Sequence, residues 1–279
     1  MKYIDATKGS IISIFVLAPI SIFIPGLGST PIIETILTIS MFLFAIFAGF
    51  YISRLNSRYS EIRELISNED AYFYSLFNTS KVFDKIFTSK IADIIDKYYI
   101  VSFENELDNY YKSTAPYFQN LYEVLHEIKE KSADSTYAGM FSILLSIETV
   151  RNKNSVIAKE KITKSQWMVL LSLTIIILLC LFYINTNQSF FQLLIIIMSA
   201  MLVLILLTIR DLQNLRLGGK IMPVLESGQE VLESMGKLRY YNQKMIERGV
   251  MEIPRGIKKY RLGLHNPGEK LKIEIVEEE

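Results

Sequence analysis

Apolar and polar positions are segregated along this chain in long blocks rather than mixed within each element. Trp167 to Ile184 is an 18-residue apolar run broken only by Ser172 and Thr174, and Phe190 to Ile209 is a 20-residue run interrupted by Gln192, Ser199 and Thr208. At about 1.5 Å rise per residue, each helix reaches roughly the hydrocarbon thickness of a bilayer. The five residues between them, Asn185 to Ser189, are polar and uncharged, which predicts a tight membrane hairpin. Near the N-terminus, Ile11 to Pro25 is a 15-residue apolar run containing Pro19, whose missing amide hydrogen and ring kink a helix. Pro31 to Ile52 reads as a full span opening with proline in its first turn, and Gly26 to Thr30 turns the chain between the two. The short first run, preceded by Lys2 and Lys8, also resembles a signal peptide, but no small-x-small cleavage site follows it cleanly, and a retained span is expected.

Between these blocks the pattern changes to helical periodicity. Ile62, Leu65, Ile66, Phe73, Leu76 and Phe77, then Ile91, Ile94, Ile95 and Tyr98, recur at the spacing of one helix face. Helices are predicted near 54–80, 88–112, 115–131 and 136–162, with Ser113, Thr114 and Pro116 as a start signal and Ser132 to Ser135 as a break. The first and last of these helices are expected to continue directly from the spans. In the tail, Gly218 and Gly219 precede an expected helix over 223–248, then a Gly- and Pro-bearing stretch, and Lys270 to Val276 alternates in the manner of a short edge strand. The fold class is therefore all-α, a polytopic membrane protein. Its predicted parts are a first transmembrane hairpin (1–53), a helical bundle (54–166), a second hairpin (167–209) and a C-terminal tail (210–279).

Charge sharpens this picture. The chain has 30 basic and 29 acidic residues, yet the blocks 11–53 and 167–209 contain no Lys or Arg and one acid, Glu34. The loops at 26–30 and 185–189 lack basic residues, whereas the middle segment carries fifteen and the tail thirteen, so the positive-inside rule places both termini and the middle segment in the cytoplasm, with the cell membrane as the expected location. A near-neutral balance lacks the electrostatic footprint of a nucleic-acid binder. The single Cys180 excludes a disulfide framework within the chain. There is no nucleotide-binding glycine loop, HExxH motif or GxSxG elbow, so no catalytic residue, metal centre or cofactor is assigned and an enzyme is not expected.

Several residues remain as candidates. Glu104, Glu106 and Asp108, with Asp93 and Asp96 upstream, lack the spacing and turn glycine of a calcium loop and read as a solvated helix face. His126 reads as a half-exposed helix position, and His265 has no identifiable role. Glu34 lies near the outer end of its span, as an interfacial carboxylate or at a pore mouth, while Arg54 and Arg58 stand at the inner exit. Ala45 and Gly49 have the small-xxx-small spacing that lets helices approach closely. Ser40, Phe44 and Ala48 form a neighbouring stripe, and Phe44 or Phe47 is a candidate hydrophobic constriction.

The run GFYISRLNSRYSEIRELISNEDAYFYSLF, from Gly49 to Phe77, resembles the junction between second span and cytoplasmic helix in bestrophin-like membrane proteins, with Arg58 and Glu69 at the matching arginine and glutamate positions. SIETVRNKNSVIAKEKITKSQWMVLLSL, with Arg151 and Trp167, resembles the approach to their third span, and RDLQNLRLGG their exit from the fourth. Bestrophins are pentameric anion channels with a neck on the second span. The resemblance thus implies a homo-oligomer, with the pentamer as the bestrophin precedent, that conducts ions across a lipid bilayer. Their Arg-Phe-Pro signature is absent here, and their calcium-binding acidic cluster has no residue-by-residue counterpart. The expected function is an ion channel with pore-lining Ser40, Phe44, Phe47 and Ala48, a mouth of Glu34, Arg54 and Arg58, and structural roles for Glu69, Arg151, Ala45 and Gly49. The competing reading is a non-conducting, membrane-anchored interaction or scaffold protein. A proton-driven stator fits less well, because the third and fourth spans lack proline and have few hydroxyls.

Overall fold

The structure, a computed structural model, describes residues 3–107, 109–128, 134–186, 188–217, 220–221 and 225–277. The expected position of Asp108, the break at Ser132 and the Gly218–Gly219 pair fall outside the described residues. The molecule is mostly helical, and four of its helices are long and apolar enough to cross a membrane. The chain divides into two compact units, one built from Met1–Tyr59 with Lys161–Met222 and the other from Ser60–Glu160 with Pro223–Glu279. The four segments expected from sequence thus combine in pairs: the two apolar blocks share one unit, and the middle segment shares the other with most of the tail.

In the first unit, α1 (Ala6–Phe23) starts at Asp5, whose carboxylate accepts from the amide of Lys8 at 2.8 Å. Its packing partner is α7 (Ser189–Gln213), rather than the following helix α2 (Pro31–Ser80) that the first-hairpin expectation implies. Small residues explain the choice. A Cβ on Gly9 would lie 2.5 Å from Leu207 Cδ1, and the Ser10 hydroxyl donates to the Ala200 carbonyl at 3.0 Å. At the other end, the Asn185 amide donates to the Ser21 carbonyl at 2.7 Å, and the amide of Leu27 donates to the Tyr183 carbonyl at 2.9 Å. The turn after α1 is thereby tied to the loop after α6 (Lys164–Tyr183). One apolar cluster joins Phe44, Ala48, Tyr51 and Leu55 of α2 to Leu170, Ile177 and Leu181 of α6 and Ile195, Leu202 and Ile209 of α7.

α2 runs unbroken for 50 residues, about 75 Å at the standard rise, so the expected helix over 54–80 is its continuation. The last helix of the middle segment behaves differently. α5 (Asp134–Lys159) stops short of α6, because Thr163 and Gln166 form a reciprocal capping box that starts a new helix. The threonine hydroxyl accepts from the Gln166 amide at 3.4 Å, and the Gln166 side chain accepts from the Thr163 amide at 2.9 Å.

In the second unit, α3 (Lys85–Glu104) is capped by Asp84, which accepts from the Phe87 amide at 2.7 Å. α4 (Tyr110–Ile128) begins before the expected start signal and contains Pro116. The Ser113 and Thr114 hydroxyls bond back to the carbonyls of Asn109 and Tyr110, at 3.3 and 2.7 Å, instead of capping forward. The expected tail helix over 223–248 is likewise two elements. α8 (Leu225–Ser234) ends at Gly236, which adopts φ 77°, a left-handed conformation that suits glycine and stops the helix. β3 (Tyr240–Asn242) follows, then α9 (Gln243–Glu247).

A two-stranded ribbon, β1 (Arg216–Leu217) with β2 (Lys220–Ile221), precedes this region. β4 (Lys259–Gly263) pairs parallel with β3 and antiparallel with β5 (Ile273–Glu277), with Arg261 opposite Ile275. The fold is therefore helical with a small mixed sheet, and the alternation over 270–276 marks its edge strand. The core of this unit gathers Phe73 and Leu76 of α2, Ile91, Ile95 and Tyr98 of α3, Leu121 and Leu125 of α4, Met140 and Leu144 of α5, and Val231 and Leu232 of α8.

Gly26 tests the packing of the first unit, since a Cβ there would run into the Asn185 carbonyl oxygen and lie 2.6 Å from its amide nitrogen, both backbone atoms that have no rotamer to change. Gly26→Ala is expected to lower the melting temperature of the detergent-solubilised protein, with a destabilisation of about 1–3 kcal/mol. Gly139→Ala, where nothing lies within 4 Å of the added methyl, is expected to leave it unchanged or raise it.

Candidate functional site

The three faces of α2 define the membrane part of the site. Successive residues of a helix are offset by about 100°, so every exposed or buried position can be assigned to a lane. Ser40, Phe44, Ala48, Tyr51 and Leu55 form the buried lane, with Phe44 only 3% exposed. Phe44 and Ala48 pack on α6 and α7 of the same chain, so the expectation that Ser40, Phe44 and Ala48 line a pore is corrected. Their small-and-aromatic stripe is the internal packing face of α2. Phe47 does lie at the surface, stacked on Tyr51 with ring centroids 6.4 Å apart.

The exposed side of α2 separates into two further lanes. Ile32, Ile36, Ile39, Leu43, Ile46 and Phe50 make a bulky apolar strip. Thr35, Thr38, Phe42, Ala45, Gly49, Ser53 and Asn56 make a strip of small and hydroxyl-bearing residues with one aromatic ring. Ala45 and Gly49 belong to this second strip; both are exposed, and no described residue lies within 4 Å of a Cβ built on Gly49.

At the ends of the span, Glu34 sits in the first turn of α2, exposed, and accepts a hydrogen bond from the Ser29 hydroxyl. A carboxylate there complements the positive end of the helix dipole. Arg54 is exposed, whereas Arg58 is buried and donates to the Gln213 carbonyl at 3.0 Å, where α7 ends. The Gln213 side chain accepts from the Trp167 indole at 2.9 Å, so one residue joins α2, α6 and α7. A cation at the C-terminal end of a helix is favourable, and this contact occupies Arg58 within the protomer rather than at an open mouth.

Arg151 and Glu69 meet in the second unit. Arg151 is 2% exposed, and its guanidinium carbon lies 4.2, 4.9 and 5.2 Å from the ring centroids of Phe118, Tyr111 and Tyr98. Its Nε donates to the Tyr98 hydroxyl at 2.8 Å, and Nη2 donates to Thr114 Oγ1 at 2.8 Å and to the Tyr111 carbonyl at 3.2 Å. The Tyr98 hydroxyl in turn donates to Glu69, which also accepts from Tyr110 at 3.2 Å. The two residues are thus joined through a phenol rather than directly. Burial raises the Glu69 carboxyl, with the Tyr98 bond and the Arg151 charge opposing it, and burial also pushes the Tyr98 phenol well above its ordinary value.

Three of the acidic residues that read as a solvated face, Asp93, Asp96 and Glu104, are engaged by the tail. Asp96 makes a two-pronged pair with Arg261 at 2.8 and 2.6 Å, and Asp93 pairs with Lys237 at 2.7 Å. Glu104 is buried, accepts from Asn242 at 2.8 Å and from the Tyr240 hydroxyl, and lies 2.9 Å from His265 Nε2. Among the described residues, no group of three His, Cys, Asp or Glu side chains converges to hold a metal. His126 is exposed. The role of His265 in fixing the tail has no local signal in the sequence, because its partner lies far away along the chain.

A model of the Bestrophin-like domain matches residues 17–214. A bacterial bestrophin homologue from Klebsiella pneumoniae is similar in structure with a TM-score of 0.64 at 14% identity, covering 87% of this chain and 98% of that one. A point variant of the Klebsiella pneumoniae homologue aligns with a TM-score of 0.66 at 14% identity, over 81% of this chain and 97% of that one. No curated protein matches in sequence.

Removing the guanidinium at position 151 is expected to destabilise the detergent-solubilised protein by about 3–5 kcal/mol, since it leaves the Glu69 and Tyr98 network without its cation. Arg151→Met tests this in thermal or chemical unfolding. Arg151→Lys, which keeps the charge but lacks the fork that reaches Tyr98, Thr114 and Tyr111 together, is expected to recover only part of the loss.

Proposed function

The chain belongs to the Bestrophin-like family, and on that premise we propose that it is a homo-oligomeric, anion-conducting channel of the cell membrane whose pore is lined by α2. The observation that carries this reading is the exposed strip Thr35, Thr38, Phe42, Ala45, Gly49, Ser53 and Asn56. The neighbouring strip of Ile, Leu and Phe suits lipid. The small and hydroxyl-bearing strip suits an aqueous axis shared by several copies, since one copy has too few spans to enclose water. Phe42, the one large apolar side chain in that strip, is the candidate constriction, where dewetting would gate conduction. Phe47, which faces the boundary of the bulky strip, is second in rank. The pentameric build of the bestrophins supports an assembly of five copies.

The charge distribution supports an orientation with both termini and the Ser60–Glu160 segment in the cytoplasm, because basic residues flank the spans only on that side. Arg54 then stands at the inner end of the span and favours anions. Glu34 at the outer end is drawn to its own helix terminus and to Ser29. The alternative, a non-conducting membrane-anchored scaffold, uses the same fold without an aqueous axis.

Reconstitution in planar bilayers tests the reading. Phe42→Ala is expected to raise single-channel conductance or open probability, whereas Phe44→Ala is expected to cost about 3–5 kcal/mol of stability as a core truncation, with no widened pore. No current from wild type or Phe42→Ala across anions, cations, pH and calcium favours the scaffold. For orientation, a cysteine at Ser29 in a Cys180→Ser background is expected to react with impermeant reagent from outside intact cells, and one at Glu106 is not. The reverse pattern inverts the topology.

A further inference from the structure

Next to the Arg151 network lies a second buried carboxylate that conduction does not use. Asp70 follows Glu69 on α2 and is buried. Its Oδ1 accepts from the Tyr99 hydroxyl of α3 at 2.6 Å, and its Oδ2 accepts from the Ser227 hydroxyl of α8. The titratable groups around the Glu69–Asp70 pair are Tyr98 and Tyr99 on α3, Tyr110 on α4, Arg151 on α5 and Glu230 on α8. Arg151 bonds to Tyr98, Thr114 and Tyr111, and its link to the pair runs through Tyr98 to Glu69, not to Asp70. Of these two adjacent buried carboxylates, only Glu69 is linked to a guanidinium, and that link runs through a phenol.

The same spot is where α8 is seated. A Cβ on Gly228 would lie 2.8 Å from Tyr99 Cε1 and 3.0 Å from Phe103 Cζ, so the α8 backbone rests directly on the rings that surround Asp70. Ser227, the residue before it, supplies the polar contact. Gln229 exchanges hydrogen bonds with the Tyr240 backbone, accepting from its amide at 2.8 Å and donating to its carbonyl at 2.5 Å. What happens to the charge on Asp70 is thus felt first by α8 and the strand it braces.

We propose that Asp70 and Ser227 form a proton-controlled latch that fastens α8 to α2 and α3. With Asp70 protonated, the carboxyl is neutral, its contact with Ser227 persists as a hydrogen bond between two hydroxyl-bearing groups, and the pair carries at most one charge. With Asp70 ionised, a negative charge is held away from water beside Glu69 and Glu230, and detachment of α8 relieves it by admitting solvent. Burial, reinforced by Glu69 and Glu230 and opposed by Ser227 and Tyr99, raises the Asp70 carboxyl to about 7 from the ordinary 3.8. The docked state binds the proton more tightly than the detached state, so docking is strongest in acid and weakens as pH rises from the lower of these values through the higher.

Hydrogen exchange measured by mass spectrometry on the full-length detergent-solubilised protein tests the latch. After correction for intrinsic exchange, the protection of the α8 amides is expected to fall by up to about tenfold between about pH 6 and about pH 8, while the α6 and α7 amides stay constant. Asp70→Asn is expected to keep α8 protected and remove the pH dependence. Glu230→Gln, at an exposed position that leaves the core untouched, is expected to move the midpoint to lower pH. A wild-type profile that is flat over this range overturns the proposal. So does a pH dependence that survives Asp70→Asn, or, if that variant does not fold, a midpoint that Glu230→Gln leaves in place.

Discussion

A helix satisfies its own backbone hydrogen bonds whatever surrounds it, and the long helix α2 depends on that property from end to end. In hydrocarbon an unpaired amide or carbonyl costs several kcal/mol, so the apolar part of α2 has to be helical. Past Ile52 that requirement lapses, yet the helix continues to Ser80 because its periodic apolar face still has a core to enter. One element therefore contributes Phe44, Ala48, Tyr51 and Leu55 to one core and Phe73, Leu76 and Phe77 to the other. No capping residue interrupts it, whereas four residues between α5 and α6, ending in the Thr163 cap, are enough to separate those two helices.

Electrostatics in the second unit follow from a different economy. A buried guanidinium is tolerated only when its donors and its charge are both answered. Three rings, a threonine hydroxyl and a backbone carbonyl do this for Arg151, and a phenol passes its influence on to Glu69. Acids elsewhere on α3 are answered by the tail: Asp96 by Arg261, Asp93 by Lys237, and Glu104 by Tyr240 and Asn242. The acids of α3 thereby help to hold the C-terminal residues in place. What reads in sequence as a solvated acidic helix face is, at Asp93, Asp96 and Glu104, the receiving side of an internal interface.

The division between buried and exposed lanes along α2 has the same origin. A lane becomes internal when α6 and α7 offer matching side chains, and it stays open when they do not. Phe44 and Phe42 differ by two residues and have the same chemistry, but they stand on opposite lanes, one filling a gap against Leu and Ile side chains and the other projecting away. Small residues carry the same ambiguity, for a Cβ on Gly9 would press against Leu207 while one on Gly49 would meet open space among the described residues.

The sequence alone determined the features that depend on solvent and on local geometry. Uncharged runs of bilayer length, the helical period of Ile62 to Phe77, and the strand alternation before the C-terminus each reflect one residue's preference for water, lipid or a pleat, and these can be read position by position. The family resemblance was carried the same way, by short runs such as Gly49 to Phe77. Tertiary structure alone decided which neighbour each face met. It paired α1 with α7, turned Ser40, Phe44 and Ala48 inward, inserted Tyr98 between Arg151 and Glu69, and brought His265 to Glu104. Those outcomes rest on shape and on partners distant in the chain, and a side chain's own chemistry is the same whether its partner is a neighbouring helix, lipid or water.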